Sequence, residues 1–327
     1  AKRMLNIDSE EEGILLTSYA GGMRTDCHIP VQFVQPVQIE AIQNGSYLEV
    51  TAGGLLGGHS GTEINKERAN AIKLLGLTLQ QAKNSVSFHL VQIGGGEKDN
   101  AIPRQAGAVV YIEDGKKDAF IEKIKEIERA EQKENQSKEQ GLFIRAEEIA
   151  DSGQCVFDSD STERILSFLT LFPNGVMAMS ADLDGLVETS LNLGILKTCG
   201  QEVTASTAIR SAVESAKHKV NLQVQTLTKL FGGSAETHGE YPGWQYDPDS
   251  RLRAEMVRIY KEMFGKDVQV EALHAGLECG IMTAKIPGLD CVSFGPNIYD
   301  IHTTEERLSI SSAARMWKYL LEILKQQ

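Results

Sequence analysis

The chain has 327 residues, enough for about two domains. At 41% apolar and 24% charged residues it has the composition of a chain that buries a core, not of a disordered one. Its 33 basic and 45 acidic residues leave a net charge of −12, an acidic surface that repels phosphate backbones and anionic lipid and so argues against nucleic-acid and membrane partners.

In chain order, residues 3–8 read as a short buried strand, Ser9-Glu10-Glu11-Glu12-Gly13 turns it, and 14–19 is extended again. From about residue 29 a β-rich α/β alternation begins. Strands are expected at 31–42 and 46–52, the second entered through Asn44-Gly45, a hairpin turn signal. Asn65 is expected to cap a helix running to about residue 83, with Ala69, Ile72 and Leu75 on its apolar stripe. Val86, Phe88 and Leu90 alternate as a half-buried strand, Gly94-Gly95-Gly96 breaks it, and 104–112 forms the next. A charged helix over 116–137 turns Phe120, Ile124 and Ile127 inward. The longest apolar stretch, around Ile165 to Phe172, stops at Pro173-Asn174-Gly175, far short of the roughly 20 residues a membrane span needs. It lies in a helix over 160–171, followed by strands near 175–180, 185–197 and 202–210 and a helix over 211–230 ended by Gly232-Gly233. The two halves suggest duplicated strand–helix layers without a residue-level repeat.

At Tyr241-Pro242-Gly243-Trp244 the character changes. A helix (250–264), a strand (268–273), a Gly-punctuated segment (274–280), a strand (289–294) and a last helix (308–325) form an α/β half-domain too small to stand alone. The first 21 residues are the natural partners for its sheet. Cys27, Cys155, Cys199, Cys279 and Cys291 are widely spaced with no C-x-x-C, which reads as reduced thiols in a cytoplasmic protein. The chain opens directly into a strand without a signal segment or initiator methionine, so sequence ahead of Ala1 is expected.

Candidate chemistry sits at strand ends and in glycine-rich loops. Asp8 ends an apolar strand, where α/β sheets bind ligands, although the residues alone favour the simpler reading that it starts a turn or caps the segment at Glu11. His302, on a loop before the last helix, suits a metal ligand or a surface histidine near a helix start. His59 lies in Gly57-Gly58-His59-Ser60-Gly61, and glycines on both sides permit a close backbone approach that a core histidine does not need. A phosphate loop is disfavoured there because no Lys-Ser/Thr follows. Asn100 and Arg104 bracket Asn100-Ala101-Ile102-Pro103-Arg104, and Arg210 ends a strand. An amide and a guanidinium together can clamp a carboxylate, though each alone is commonly a surface residue. Glu278 and Cys279 sit on a turn after His274, where a cysteine nucleophile would need an adjacent base. No G-x-S-x-G, H-E-x-x-H or dinucleotide fingerprint is present. What remains is a set of dispersed carboxylates and histidines.

Seven ordered motifs carry a resemblance over essentially the whole chain: Asn6-Ile7-Asp8-Ser9-Glu10-Glu11-Glu12-Gly13, Gly57-Gly58-His59-Ser60-Gly61, Asn100-Ala101-Ile102-Pro103-Arg104, Glu188-Thr189-Ser190-Leu191-Asn192, Tyr241-Pro242-Gly243-Trp244, His274 to Gly280, and Gly295-Pro296 to His302. The sequence resembles the bacterial aminoacyl-histidine dipeptidases (Xaa-His dipeptidases, peptidase D), which are carnosinase-like di-zinc peptidases. The resemblance implies an α/β zinc-binding catalytic domain, made here by residues 1–21 and 244–327 and interrupted by a lid and dimerisation domain over 22–243. It implies that Asp8 ligates one zinc and His302 the other. It makes His59 the lid residue that stabilises the oxyanion, and Asn100, Arg210 and Glu278 substrate-binding residues. The expected reaction is hydrolysis of small Xaa-His dipeptides by metal-activated water, in a cytoplasmic enzyme that the family would make a homodimer.

The same resemblance places an H-x-D zinc motif, a bridging aspartate and a Glu-Glu pair with the general base ahead of Ala1. As it stands the chain carries two of the implied zinc ligands and no general base. The alternative expectation is therefore a non-catalytic lid and dimerisation fragment of such an enzyme, with a cysteine hydrolase built on Cys279 a distant third.

Overall fold

A computed structural model describes residues 2–39, 44–150, 153–273, 278–301 and 303–326. In chain order its main strands are β1 (Arg3–Asn6), β2 (Ile14–Tyr19), β3 (Gly21–Pro30), β4 (Gly45–Gly53), β5 (His89–Gly95), β6 (Ala106–Glu113), β7 (Phe143–Ile149), β8 (Gly175–Met179), β9 (Val187–Cys199), β10 (Glu202–Ser211), β11 (Ser234–Tyr241), β12 (Gln269–Leu273) and β13 (Asp290–Ser293). The helices are α1 (Ala71–Lys83), α2 (Lys117–Asn135), α3 (Ser159–Leu171), α4 (Glu214–Leu230), α5 (Arg251–Phe264), α6 (Glu278–Lys285) and α7 (Ile310–Lys325).

Both ends of the chain build one small sheet, in the order β1-β13-β2-β12. β1 runs parallel to β13, from Arg3 opposite Asp290 to Asn6 opposite Ser293. One face of this sheet offers Leu15, Val292 and Phe294 to the stripes of α5 and α7, Met256 and Ile259 against Met316, Tyr319 and Ile323. The 3.6-residue period puts those side chains on one side of each helix. Tyr319 is fully buried and donates its hydroxyl to the Met256 carbonyl at 2.7 Å, so its polar end is satisfied inside the core. The other face carries Leu16, Tyr19 and Cys291 beneath Trp244 and Cys279 of α6.

The larger sheet has the order β7-β4-β6-β5-β9-β10-β3-β11, with β8 also paired to β9. It resolves into two copies of a β-α-β-β-α-β unit. The first is β4-α1-β5-β6-α2-β7, with spatial order fourth, first, third, second strand. The second is β3-α3-β9-β10-α4-β11, with the mirror order, and the first unit is inserted between its opening strand and helix. The second strands of the two units meet back to back, Leu196 opposite Gly95 and Lys197 opposite Gly94. On the helical side α1 and α3 close over this junction at Gly76, where a Cβ would stand 2.8 Å from the Leu169 Cβ. All four helices cover one face of the sheet in a single core that includes Leu75, Phe120, Phe168 and Val224. The opposite face is polar over β3 and β10, while over β4, β5 and β6 it carries a smaller apolar cluster of Tyr47, Val91, Val109 and Tyr111 packed with Val34 and Val156.

Several local expectations are corrected. Of residues 31–42, the described part, 31–39, holds only the short strand Phe33–Val34, paired with Val156–Phe157, and a 3-10 turn over Pro36–Gln38, because a proline cannot donate to a ladder. Residues 40–43 lie outside those described. β4 is therefore no hairpin partner of that segment and pairs instead with β6 and β7. The helix cap is Asn70, whose side chain accepts from the Ile72 and Lys73 amides. Asn65 sits in a 3-10 turn (Ile64–Lys66) that ends at Glu67, in the left-handed conformation with φ 49°. Three strands with weak apolar signals, β3, β7 and β11, are additions.

Candidate functional site

Two groups of residues stand out, one on each sheet. On the small sheet Asp8 follows β1 and is exposed. Its loop is held by the segment after β13: the Ser9 and Ser293 hydroxyls are 2.8 Å apart, the Ile298 amide donates to the Glu10 carbonyl at 2.9 Å, and the Glu12 amide donates to Asn297 Oδ1 at 2.7 Å. Gly295 is required at this crossing, since a Cβ there would stand 1.7 Å from the Ser9 carbonyl oxygen. The loop carrying Asp8 thus lies against the segment that leads to residue 302. His302 itself, like His274, lies outside the described residues.

The acidic turn divides in role. Glu10 and Glu11 are exposed, but Glu12 is clamped bidentately by Arg315 of α7, at 2.5 and 2.6 Å. That guanidinium holds the Glu12 carboxyl below the usual carboxylate range. Glu278 is the exposed first residue of α6, one residue into a helix and not on a bare turn. Tyr19, at the end of β2, is 4% exposed and stacks on Trp244 with ring centroids 5.8 Å apart. Burial raises its hydroxyl well above the ordinary phenol range, and the charges of Cys279, Glu10, Asp8 and Glu278 add to the rise. Asp8, Glu10 and Glu278 therefore share the field of one buried phenol, a residue the sequence reading did not single out.

Cys279 is fully buried and accepts from Asn6 Nδ2 at 3.3 Å. Its buried neighbour Cys291 has a thiol pushed far above the ordinary range, by the contact with Cys279 and by burial. The described residues place no histidine against Cys279. Cys279→Ser is expected to leave any hydrolytic activity of the protein within about threefold, since the Cys279 thiol is buried and presents no exposed nucleophile. Loss of activity with the fold intact would restore the cysteine to the chemistry.

The second group lies on the polar face of the large sheet. Gly58–His59 forms a two-residue ladder with Ala101–Ile102, and the Ser60 amide donates to the Asn100 carbonyl at 2.9 Å. The glycines before His59 are obligatory. Gly57 has φ 65° and a Cβ there would meet Arg104 Cγ at 2.4 Å. Gly58 has φ 146° and would meet Arg68 Nη1 at 2.6 Å. His59 Nδ1 accepts from the Gly61 and Thr62 amides, both at 3.2 Å. Two donors on Nδ1 fix the neutral tautomer with its proton on Nε2. Burial, then the nearby Arg210 charge, pull this imidazole below the usual histidine pKa, against a smaller upward pull from Glu63.

Arg210, near the end of β10, donates from Nη1 to the Tyr241 hydroxyl at 3.2 Å, while its Nε is buried without a partner. Tyr241 lies over Gly22, where a Cβ would stand 2.6 Å from the hydroxyl. Its carbonyl accepts from the fully buried Lys217 at 2.9 Å. The structure thus gathers His59, Asn100 and Arg210 on one face, and Asp8, Glu278 and Tyr19 on the other sheet. No hydrogen bond or ion pair joins the two groups among the described residues. The link is covalent: Tyr241 leads through Pro242 and Gly243 to Trp244, whose backbone exchanges two hydrogen bonds with Tyr19 at 2.8 and 2.9 Å.

For a cation, Asp8 offers an exposed carboxylate that makes no hydrogen bond or ion pair among the described residues, and Glu10 and Glu278 act with it on the buried Tyr19. Those oxygen donors fit a divalent ion in kind. Elsewhere, Glu214, His218 and Glu240 bring three ligand atoms within 4.8 Å of one another. Lys217 already lies among those carboxylates, 2.8 Å from Glu214 and 3.3 Å from Glu240, so an internal ammonium neutralises them. No described helix is long and apolar enough to cross a membrane.

A sequence model of a peptidase dimerisation domain matches residues 50–139, which fall within the first β-α-β-β-α-β unit. The second unit repeats its topology outside the matched range. The cytosol non-specific dipeptidase of Escherichia coli (strain K12) is 33% identical over 325 residues, 99% of this chain and 65% of that protein. The crystal structure of the aminoacylhistidine dipeptidase from Vibrio alginolyticus superposes with a TM-score of 0.95 at 32% identity, over 100% of this chain and 65% of that one. The resemblance to the aminoacyl-histidine dipeptidases thus holds in sequence and in fold along the whole chain, which spans 65% of the length of each of these two relatives.

Proposed function

We propose that this chain supplies part of a zinc-dependent dipeptidase that cleaves Xaa-His dipeptides, with residues 22–243 forming a lid over a catalytic domain to which 1–21 and 244–327 belong. The observation that carries the reading is His59: a glycine-flanked imidazole, held neutral with its proton on Nε2, beside a guanidinium with an unused donor. A neutral N–H donor suits a developing oxyanion, and an underused guanidinium suits a carboxylate. Asp8 and His302 would hold metal, which when bound polarises the scissile carbonyl and lowers the pKa of the attacking water. Asn100 and Arg210 grip the substrate's free carboxylate, and Glu278 its free amino end. Gripping both ends restricts the substrate to two residues, because a longer peptide leaves one grip unpaired.

Reduced cysteines and the cytosolic relative support a cytoplasmic location. The dimerisation-domain match supports a homodimer. Within the chain the free edge of β5 is already taken by β9, so the partner would meet another surface. A second reading, a non-catalytic lid and dimerisation fragment, rests on the donor set: among the described residues Asp8 lacks the companions that close a metal site.

Zinc content and Ala-His hydrolysis, measured before and after chelation on this polypeptide and on the full-length protein, separate the two readings. Chelator-sensitive hydrolysis confined to the full-length protein supports the dipeptidase, with this chain as its lid-bearing part. Absence of hydrolysis from both sinks it. In the full-length protein Asp8→Ala is expected to lower bound zinc and activity together, because one lost first-sphere carboxylate opens the site. Retention of both would remove Asp8 from the ligand set.

A further inference from the structure

Of the five buried side-chain atoms without a hydrogen-bond partner among the described residues, Thr78 Oγ1 and Gln80 Oε1 belong to α1 on the helical side. The other three, Ser60 Oγ, Asn192 Oδ1 and Arg210 Nε, all belong to the polar face and its overlying loops. Native interiors rarely leave such groups unpaired, and a cluster of them points to an arrangement completed by a ligand. Asn192 is 1% exposed and has been given no role so far.

Its position is set by the ladder. Ser190 of β9 stands opposite Arg210 of β10, and Asn192 opposite Ala208. Residues directly opposite share a face, so Asn192 and Arg210 are diagonal neighbours on the polar side, within reach of a long side chain. Leu191 and Ile209 between them point into the helical core. The Asn192 amide nitrogen donates to the carbonyls of Asp99 at 2.9 Å and Ala101 at 2.8 Å. The held segment rests directly on β9, since a Cβ on Gly194 would stand 2.6 Å from the Asp99 Cα. Asn100 lies between those two carbonyls, and Ala101 is the ladder partner of His59. The amide oxygen is the half of Asn192 left over, and it shares its face with the buried, unpaired Nε of Arg210.

We propose that Asn192 is a positioning residue that couples the two halves of the carboxylate grip, an inference that rests on the dipeptidase reading above. Its N–H groups hold the 99–101 segment with Asn100 and, through Ala101, His59. Its Oδ1 takes the Arg210 Nε–H when a carboxylate engages the outer guanidinium nitrogens, fixing the plane of the fork. The second unit of the duplicated sheet thereby aligns residues of the first.

The test is steady-state hydrolysis by the full-length enzyme of an Xaa-His dipeptide and of its C-terminal amide, with Asn192→Ala and Asn192→Asp. The alanine variant is expected to raise KM for the free acid about tenfold, the size of one lost hydrogen bond to a charged group, and to leave KM for the amide unchanged. The aspartate variant keeps an acceptor for Arg210 but loses the donors to Asp99 and Ala101. It is expected to raise KM for the acid less than the alanine variant does while kcat falls, because the Arg210 acceptor is kept but the segment carrying Asn100 and leading to His59 loosens. Should the alanine variant fail to fold, Asn192→Ser carries the same acid-against-amide comparison. Equal KM changes for acid and amide, or no change for the acid, overturn the inference while leaving the dipeptidase reading intact. A wild-type enzyme that cleaves neither substrate overturns that reading, and this inference with it.

Discussion

In the proposed dipeptidase His59→Ala is expected to lower kcat about 10²-fold, with KM for an Xaa-His dipeptide within about threefold, the pattern of a donor used only in the transition state. The argument starts from the tautomer. The Gly61 and Thr62 amides both point at Nδ1, so the ring can carry a second proton only by turning a donor toward two donors. Burial and the Arg210 charge oppose protonation as well. The imidazole is therefore neutral at pH 7 and presents Nε2–H. His59→Gln, which keeps an N–H donor without the ring, is expected to recover part of the loss. A kcat unchanged in the alanine variant removes His59 from the chemistry.

The pH dependence follows with a definite sign. A histidine whose folded pKa lies below its unfolded value binds its proton more readily in the unfolded chain, so stability rises with pH across that interval. The His59 loop is at full strength above the usual histidine range, near 6.5. It weakens as pH falls from there through the lowered folded value. Wild-type thermal stability should decline over this window more than that of His59→Gln, which has no proton to gain.

How far this was legible in the sequence depends on where the stabilising contacts lie. α2, α3, α5 and α7 carry apolar stripes at helical spacing, and their ends fall within a few residues of expectation. β3 escaped because its outward residues Arg24, Asp26 and His28 belong to the polar face, so the run reads as a loop although it is a central strand buried by β10 and β11. β11 is an exposed edge with almost no apolar signal, held through backbone pairing to β3. The mirrored order of the two units follows from which strands meet, and no residue repeat announces it.

The site divides the same way. His59 was visible because its glycines are local, and the structure gives each a steric reason. The Glu12–Arg315 clamp joins residues 303 positions apart, and nothing near Glu12 in the sequence marks it as different from Glu10 and Glu11. Asn192 lay within a motif, yet an amide in an apolar strand has no meaning until the 99–101 segment is laid across it.

The selectivity of the proposed enzyme turns on Arg210, where the second large effect is expected. Arg210→Met should raise KM for a dipeptide with a free carboxylate by about 10²-fold or more, consistent with a lost bidentate, charge-assisted pair worth several kcal/mol in a partly buried setting. The C-terminal amide offers no charge to pair and should be nearly indifferent, so the preference for acid over amide collapses. Arg210→Lys is the sharper comparison. A lysine keeps the charge, and with it much of the downward pull on His59, but it cannot present a planar fork. It should therefore preserve the pH profile while recovering only part of the affinity. The arginine is built to be held this way: Lys217 fixes the Tyr241 backbone, Gly22 leaves room for the Tyr241 ring, and the Tyr241 hydroxyl takes one guanidinium proton. A methionine variant that retains acid-over-amide preference would show that the carboxylate is held elsewhere, and that the unpaired donor on Arg210 answers to a different ligand.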